Sequence, residues 1–315
     1  MKTDNKRHKL IEMFLTSVSK YEDSLQYIKF EKDKLKRILY GLNKFGFSYV
    51  LYNLSRFKVP GLFGDIRGQF FFGREMIWPI GDIGANVFSM YGISPHKSEK
   101  KLALWIIKNI GDSEIFYDVG AHLGYYTALS LEILTKGEVH VFEANNKLCR
   151  YLYKNFSGLK GVHISCTAIA DIVGKVNFYD VSSTEDSSTS SRFNLSGREI
   201  VPSRIDAITL DEYVRRGRKA PTVIKFDIEG GEYDAIMGAE SLIKGNRPMI
   251  IMEVWGGEKG RKYSERAVKK LQEFDYKAFP LKSDGSVSDK PIEDPVGNIT
   301  NLSNDARDNF LFLVK

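Results

Sequence analysis

Residues 117–124 read YDVGAHLG and form the stretch that decides the fold. The apolar run at 115–119 predicts a buried strand, and residues 125–134 have the spacing of a helix. Gly120 and Gly124 stand in the turn between them, where the lack of a side chain lets backbone approach a ligand closely. The spacing Gly-x-x-x-Gly is neither the Gly-x-Gly-x-x-Gly of dinucleotide-binding proteins nor a P-loop. The stretch therefore predicts a strand–turn–helix that binds something other than a pyrophosphate.

Downstream of this stretch, predicted strands alternate with predicted helices. The strands are placed at 138–142, 162–170, 222–227, 249–255, 276–281 and 310–314, and the helices at 147–156, 210–216, 233–243 and 265–274. A short strand at 175–179 is expected to pair with the one before it. The alternation is typical of an α/β fold with a mostly parallel sheet and helices on both faces. The last strand has no helix before it and fits an antiparallel position.

Upstream, helical spacing of apolar residues predicts one long helix over 6–40. The aromatic residues of 45–57 fit either a second short helix or an exposed apolar surface. A hairpin is expected over 69–79 with Gly73 at its turn, followed by a helix over 99–110. The predicted organisation has three parts: a basic helical extension (1–60), a hairpin-and-helix cap (61–112) and the α/β domain (113–315).

The basic charge of the chain belongs to its first sixty residues. Residues 1–60 hold 13 Lys and Arg against 6 Asp and Glu, whereas the whole chain has a net charge of +6. One interpretation is a solvated helical face. Others are a surface for an anionic membrane, an acidic glycan or glycan-assembly partner, or a helical arm for homo-oligomerisation. No nucleic-acid-binding motif accompanies the charge, so no specific nucleic acid is expected.

Several classes of protein are disfavoured by the rest of the sequence. It contains no run of about 18 uncharged apolar residues, which argues against a spanning helix. The polar start of the chain predicts no secretory signal peptide. Cys149 and Cys166 lack metal-type spacing and a second pair, so neither a zinc cluster nor a disulfide framework is expected, and a reducing cytoplasm is predicted. The segment 182–191, SSTEDSSTSS, is interpreted as a solvent loop or as a mobile lid over an acceptor.

A second group of residues narrows the range of ligands that this site could bind. Glu143 ends the strand 138–142, and an acidic residue at this place accepts hydrogen bonds from ribose hydroxyls in related folds. Asp118 would attract a ligand ammonium and repel a phosphate. A nucleoside that carries an amino acid and no phosphate satisfies both, and S-adenosylmethionine is such a molecule. The predicted cofactor-binding residues are Asp118, Gly120, Ala121, Gly124, Glu143, Thr167, Ala168 and Asp227.

A third group lies at another strand-to-helix turn, where residues 224–232 read IKFDIEGGE. Three carboxylates within six residues, beside Lys225, are costly to gather unless something cationic or protic binds there. Glu232 fits a residue that complements the dipole of the next helix. Asp227 and Glu229 fit either turn hydrogen bonding or a functional site, and Glu253 ends a later strand at the same side of the sheet.

These motifs together resemble the FkbM-type S-adenosylmethionine-dependent methyltransferases over roughly residues 75–315. The resemblance is carried by DVGAHLGYY at 118–126, Phe-Glu at 142–143, Leu-Asp at 210–211, KFDIEGGE at 225–232 and Glu253. It implies a Rossmann-like methyltransferase fold with a seven-stranded sheet, and O-methylation of hydroxyl groups, often on sugars. His122 stands where Asn is common, and Ala144 where Pro usually follows the acidic residue.

The chemistry of methyl transfer suggests roles for these side chains. The acceptor oxygen needs in-line positioning and help in losing its proton. Asp227 is expected to be the base or the group that orients the acceptor, with Glu229 and Glu253 in support. Lys225 would either take part or hold the carboxylates by charge, and His122 is a second candidate base. A divalent metal held by Asp227, Glu229 and Glu253 is a less favoured alternative.

The sequence thus favours methylation of a sugar hydroxyl in a cell-surface glycan or related glycoconjugate, as part of polysaccharide biosynthesis. A lipid, a small metabolite or an RNA hydroxyl is the alternative acceptor. A non-catalytic scaffold on the same fold is the third hypothesis, and the intact set of carboxylates argues against it. The expected location is the cytoplasm, with a peripheral position at the inner face of the membrane if residues 1–60 bind lipid.

Overall fold

The computed structural model describes residues 2–46, 48–50, 53, 64–80, 82–179, 202–257, 260–300 and 307–314. Contacts between residues divide the chain into two units, 1–100 and 101–315. The division into three parts drawn from the sequence remains a prediction. The aromatic stretch 45–57 is described only in part, and the segment 182–191 lies outside the described residues.

The first unit begins with two helices, α1 (Lys2–Phe30) and α2 (Lys34–Phe45). The prediction of one helix over 6–40 is therefore wrong at residues 31–33. Asp33 causes the break, because its carboxylate accepts hydrogen bonds from the backbone N–H groups of Leu35 (2.8 Å) and Lys36 (3.3 Å) and so starts a new helix. Tyr27 and Tyr40 stack with ring centroids 4.1 Å apart, which holds α2 against α1.

The same unit contains a hairpin and a short helix. Strands β1 (Asp65–Gln69) and β2 (Glu75–Pro79) are antiparallel, and α3 covers Ile83–Tyr91. Gly73 has a φ of 84° and lies in the turn, as the sequence predicts, although the first strand lies earlier than expected. Helix α4 (Lys97–Asn109) spans the boundary between the units.

A seven-stranded sheet forms the centre of the second unit. Its strands are β3 (Ile115–Val119), β4 (Glu138–Phe142), β5 (Val162–Ser165), β9 (Val223–Phe226), β10 (Met249–Trp255), β11 (Tyr276–Pro280) and β12 (Arg307–Val314). Their order in the sheet is β11-β12-β10-β9-β3-β4-β5. Strand β12 is antiparallel to both of its neighbours, and the other described pairs are parallel. The α/β, Rossmann-like fold class with a C-terminal antiparallel strand is confirmed.

The helices of this unit connect the strands. They are α5 (Tyr125–Ile133), α6 (Asn146–Phe156), α7 (Leu210–Arg215), α8 (Glu232–Met237), α9 (Glu240–Asn246), α10 (Arg261–Glu273) and α11 (Pro295–Thr300). The central strands β3 and β9 are buried along nearly their whole length, as expected for parallel strands covered on both faces. Because parallel strands end on the same side, the loops after β3, β4 and β9 meet there.

A second, three-stranded sheet corrects the prediction for residues 162–179. The predicted strand 162–170 is divided into β5 and the two-residue β6 (Ala168–Ile169). Strand β7 (Gly174–Phe178) pairs antiparallel with the later β8 (Ser203–Ile208), not with the strand before it. Strand β6 pairs parallel with β8 as well. Strand β8 was not predicted, and it provides the partner that the local sequence lacks.

Cys149 and Cys166 form a disulfide, with their Cα atoms 5.9 Å apart. The sequence predicts no disulfide framework, and this bond corrects that prediction. Cys149 lies in the first turns of α6, and Cys166 directly follows the end of β5. A crossover helix begins on the side of the sheet where parallel strands end, so the two residues meet despite a separation of 17 in the sequence. Because both cysteines are bonded to each other, they no longer indicate a reducing compartment.

Among the helices of the described residues, none combines enough length with enough apolar character to cross a membrane.

Candidate active site

The loop after β3 is held by backbone contacts that require glycine. Gly120 has a φ of 84°, and its N–H and that of Ala121 donate to the carbonyl of Phe142 at 2.9 and 3.0 Å. A Cβ on Gly120 would lie 1.9 Å from the carbonyl oxygen of Asp227. The loop after β3 therefore directly abuts the loop after β9, and no side chain fits between them.

Gly124 and Asp118 complete the strand–turn–helix. Gly124 has a φ of 81°, and a Cβ there would lie 2.5 Å from the ring of Phe156. Asp118 is only 1% exposed, and its Oδ2 accepts a hydrogen bond of 2.6 Å from Thr127 Oγ1. Its Oδ1 makes no hydrogen bond within the described part of the chain. Burial raises the pKa of Asp118, although the nearby Lys225 opposes that effect.

Glu143 lies at the end of β4 and connects two loops. Its Oε2 accepts a hydrogen bond from the N–H of His122, and its Oε1 accepts one from Asn145, both at 2.8 Å. Burial raises the pKa of Glu143, and these backbone amides oppose the shift. A carboxylate offers about four lone pairs, so two acceptor positions remain for ribose hydroxyls.

The segment after β5 lies beside Glu143, whose N–H donates to Ser165 at 3.2 Å. Thr167 Oγ1 is buried and has no hydrogen-bond partner among the residues that the structure describes. Ala168 is buried in β6, in a small apolar cluster against which Ala144 packs. A buried hydroxyl without a partner beside a small apolar surface fits a pocket for a heterocycle. These features, with the glycine loop, fit the predicted nucleoside.

Lys225 and Asp227 form a tight ion pair at the end of β9. Lys225 Nζ donates to Asp227 Oδ2 at 2.7 Å and lies 4.9 Å from the centre of the Tyr126 ring. The Lys225 side chain is 2% exposed and that of Asp227 is 25% exposed. Burial alone would raise the pKa of Asp227, but Lys225, Arg307 and His122 outweigh it and hold the pKa below its usual value. Lys225 thus holds a carboxylate in its ionised form.

Glu229 and Glu253 lie beside this pair and share a cation, Arg307. The Arg307 Nη1 atom lies 3.7 Å from Glu229 Oε1 and 3.4 Å from Glu253 Oε2. Burial raises the pKa of Glu229 well above its usual value, and the charges of Glu253 and Asp227 raise it further. The site therefore combines one firmly ionised carboxylate with one that readily holds a proton.

The structure brings most of the predicted residues together. Asp227, Glu229 and Glu253 each offer an oxygen, and these oxygens lie within 4.8 Å of one another. His122, with a φ of 51°, is near enough to influence both Asp227 and Glu143 electrostatically. Unlike these three carboxylates, Glu232 is bound to the backbone of its own loop. Its Oε1 accepts hydrogen bonds from the N–H groups of Ile228 (3.1 Å) and Gly230 (3.3 Å). Glu232 thus shapes the loop.

The three carboxylates also have the spacing of a cation site. Two of the chain's own cations already act on them, since Lys225 pairs with Asp227 and Arg307 lies between the other two. A divalent metal would have to share these oxygens with Arg307. The donor set is compatible with a hard cation, but the two cations of the chain already compensate part of its negative charge.

Two contributors were not predicted. Arg307 starts β12, and only the antiparallel register that places Asn309 opposite Glu253 brings it to the carboxylates. Thr127 holds Asp118 from the first turn of α5. Thr127 stands nine residues after Asp118, on the helix that follows the glycine loop, and that position was an available signal. For Arg307 the local sequence offers none, because Glu253 lies 54 residues earlier in the chain.

Comparison with known proteins places this site in a family. The model of the methyltransferase FkbM domain matches residues 118–278, which is just over half of the chain and includes the Gly120 loop, Glu143 and residues 225–232. No curated protein matches the chain.

Three of the similar solved structures are the following. The FkbM methyltransferase of Methylobacillus flagellatus KT is 18% identical, with a TM-score of 0.42, and the match covers 65% of this chain and 44% of that one. The O-methyltransferase of Bacillus cereus, in complex with SAH, is 14% identical, with a TM-score of 0.40 and coverage of 71% and 82%. Aeropyrum pernix fibrillarin, with bound S-adenosyl-L-methionine, is 11% identical, with a TM-score of 0.40 and coverage of 81% and 86%.

The chain thus spans less than half the length of the Methylobacillus protein. Such distant matches add little to the family match, which covers the residues of the site themselves. The chain belongs to the FkbM methyltransferase family.

Proposed function

We propose that this protein transfers a methyl group from S-adenosylmethionine to a hydroxyl of a sugar in a glycan or glycoconjugate. The observation that carries the proposal is the Lys225–Asp227 pair, 2.7 Å apart, in a loop that directly abuts the Gly120 loop. An ionised carboxylate thereby lies next to the predicted donor site. That is where an acceptor hydroxyl must be held for in-line transfer.

The donor would be held by residues of three consecutive loops. Gly120 and Ala121 would provide the close backbone surface, Glu143 would accept hydrogen bonds from the ribose, and Thr167 would offer its buried hydroxyl to the base. Asp118 would provide negative charge toward the ammonium group. When bound, S-adenosylmethionine supplies a methyl group on a sulfonium, and its transfer to the hydroxyl oxygen leaves S-adenosylhomocysteine.

The carboxylates would have separate roles in orienting the acceptor hydroxyl and in removing its proton. Asp227, ionised and fixed by Lys225, is suited to accept a hydrogen bond from the hydroxyl and orient its oxygen. Glu229, whose pKa is raised, is better matched to take up the proton near neutral pH. Glu253 would hold Arg307 in place beside Glu229. His122 remains the second candidate base.

The charge of the site favours a polyhydroxyl acceptor. Asp227, Glu229 and Glu253 offer several hydrogen-bond acceptors within a small volume, which suits neighbouring sugar hydroxyls. The same carboxylates would repel the phosphates of an RNA backbone. RNA is therefore the weaker alternative, and a lipid or metabolite hydroxyl remains to be compared with the sugar.

The first test is calorimetric titration with S-adenosylhomocysteine, with NAD as the comparison. We expect micromolar binding of S-adenosylhomocysteine alone. Transfer of isotope-labelled methyl groups is then measured with oligosaccharide, lipid and RNA acceptors, with and without a chelator. Labelled sugar with unchanged turnover in chelator supports the proposal. Label confined to lipid or RNA contradicts the acceptor, and failure to bind S-adenosylhomocysteine contradicts the donor.

The first unit offers a surface that would bring the enzyme to a lipid-linked substrate. Helix α2 exposes four apolar side chains at helical spacing, all between 38% and 63% exposed: Leu35, Ile38, Leu39 and Leu42. Its twelve residues contain three lysines and one arginine, and no acidic residue. A basic amphipathic helix of this kind suits the surface of an anionic membrane. We propose that α2 docks on such a surface, at the cytoplasmic face.

Flotation with phosphatidylcholine vesicles, with and without phosphatidylglycerol, tests this docking. We expect the full chain to float only with the anionic vesicles. The double variant Leu39→Ser, Leu42→Ser should remain in the unbound fraction with both kinds of vesicle. Leu159→Ser, an exposed leucine of the other unit, is the matched control. Light scattering on the same proteins reports oligomers. A dimer that the double variant dissociates, without vesicle binding, would contradict membrane docking.

A further inference from the structure

Three potential metal ligands lie together at the amino-terminal half of β4 and β5, away from the carboxylates of the candidate active site. Glu138 and His140 are two residues apart on β4, so their side chains share one face of the sheet. His163 on β5 is the direct register partner of His140. The methyl-transfer proposal uses none of these three residues. We refer to them as the imidazole cluster.

The distances within the imidazole cluster match those between ligands of one metal ion. Glu138 Oε2 lies 3.3 Å from His163 Nε2 and 3.5 Å from His140 Nε2. Zn²⁺ binds nitrogen and oxygen at about 2.0–2.1 Å in tetrahedral sites, which places two of its ligand atoms about 3.3–3.4 Å apart. The three ligand atoms all lie within 4.8 Å of one another. We propose that Glu138, His140 and His163 bind a divalent transition metal, with Zn²⁺ as the preferred ion.

The outer atoms of His140 and Glu138 are engaged in a way that leaves their inner atoms for a common point. His140 Nδ1 lies 2.9 Å from the hydroxyl of Tyr213, and Lys219 Nζ lies 2.5 Å from Glu138 Oε1. A partner on the outer nitrogen of a histidine fixes the ring, as in most metal sites. Lys219 leaves Oε2 of Glu138 available for a metal.

His140 supplies an independent indication of a missing partner. Its side chain is 1% exposed, and within the described residues its Nε2 makes no hydrogen bond, because the 3.5 Å approach to Glu138 is too long for a good one. A buried polar atom in this state is costly.

One neighbour must move for the metal to bind. Arg218 Nη1 lies 3.2 Å from His163 Nδ1, where a metal-bound His163 would carry its proton. Arg218 is exposed and can turn toward water. His163 and Glu138 are also partly exposed, so a water molecule can complete the tetrahedron. The metal would connect β4 to β5, and we expect it to stabilise the fold without being needed for methyl transfer.

The test is calorimetry of the metal-free full-length protein with ZnCl2, together with the absorption spectrum after addition of Co²⁺. We expect one equivalent of Zn²⁺, tetrahedral Co²⁺ bands, and a higher melting temperature. His163→Gln and Glu138→Gln should each weaken binding at least tenfold and remove the thermal shift. These partly exposed positions are chosen because His140 is buried and its variants risk misfolding.

Two controls separate the imidazole cluster from other sites. His96→Gln changes an exposed histidine in the other unit, and Glu229→Gln changes the carboxylates at the opposite end of the strands. Both should bind Zn²⁺ like the wild type. No binding to the wild type, or one equivalent retained by both His163→Gln and Glu138→Gln, would overturn the proposal. Loss of binding in Glu229→Gln alone would place the metal with the catalytic carboxylates instead.

Discussion

The two ends of the parallel strands gather charged side chains with opposite balance. At the carboxyl ends, three carboxylates share two cations: Lys225 pairs with Asp227, and Arg307 lies between Glu229 and Glu253, which leaves negative charge in excess within this cluster. In the imidazole cluster near the amino ends, the carboxylate of Glu138 faces Lys219, and Arg218 lies beside His163. An excess of negative charge is tolerated where a cationic ligand can offset it. The sulfonium of the proposed donor is such a cation. The opposite end instead presents two imidazoles, which suit the transition metal proposed there.

The largest expected effect comes from removing the ionised carboxylate at the carboxyl ends. Asp227→Asn should lower turnover about 1000-fold, or about 4 kcal/mol, because a neutral amide accepts the hydrogen bond of the acceptor hydroxyl, and so orients its oxygen, less well than a carboxylate does. Affinity for S-adenosylhomocysteine, measured by calorimetry, should change by a few-fold at most. His163→Gln is the matched change at the other end and should leave turnover intact. Full turnover of Asp227→Asn would contradict the catalytic role that we assign to the carboxyl ends of the strands.

The two lysines offer a direct comparison of buried and exposed ion pairs. Lys225→Met should cost about 3 kcal/mol of unfolding free energy, because it leaves Asp227 without its buried partner. Lys219→Met should cost less than about 1 kcal/mol, since the Lys219 side chain is 61% exposed. Urea denaturation of both variants measures the difference. Equal costs would mean that burial does not distinguish the two pairs.

Glycine substitutions sharpen the comparison between the site loop and an ordinary turn. Gly158 has a φ of 79° and open space around it, so Gly158→Ala should cost only the backbone penalty of about 1–2 kcal/mol. Gly120→Ala carries the same penalty and also forces Asp227 away, which should cost about 2 kcal/mol more and weaken S-adenosylhomocysteine binding. Denaturation and calorimetry check both effects. Similar losses of stability in both variants would show that the two loops do not need their close contact.

The smallest expected effect is on the pH dependence of turnover. Because the pKa of Glu229 is raised, its carboxyl is protonated at lower pH and cannot accept a proton. Turnover at saturating donor should therefore rise as the pH increases through this raised pKa, and Glu229→Gln should flatten that rise. Glu240→Gln, an exposed change on α9, is the control. An unchanged profile in Glu229→Gln would assign the proton to another group, and His122 would then be tested.

Several features of this protein follow from local sequence alone. The strand–turn–helix at 115–134 and the position of Glu143 result from hydrophobic periodicity and from the side of the sheet on which parallel strands end. The basic, amphipathic character of residues 34–45 is likewise a property of neighbouring residues, although the break at Asp33 was missed because a capping side chain competed with a continuous helical pattern.

Tertiary structure decided what depends on distant partners. Arg307 reaches Glu253 only through the antiparallel register of β12, and β7 finds its partner in β8 across a long intervening segment. Cys149 and Cys166 meet because a helix start and a strand end lie on the same side of the sheet. The same holds for His140 and His163, which the register of β4 and β5 places opposite each other. Periodicity fixes which way a side chain points, whereas pairing register fixes what it meets.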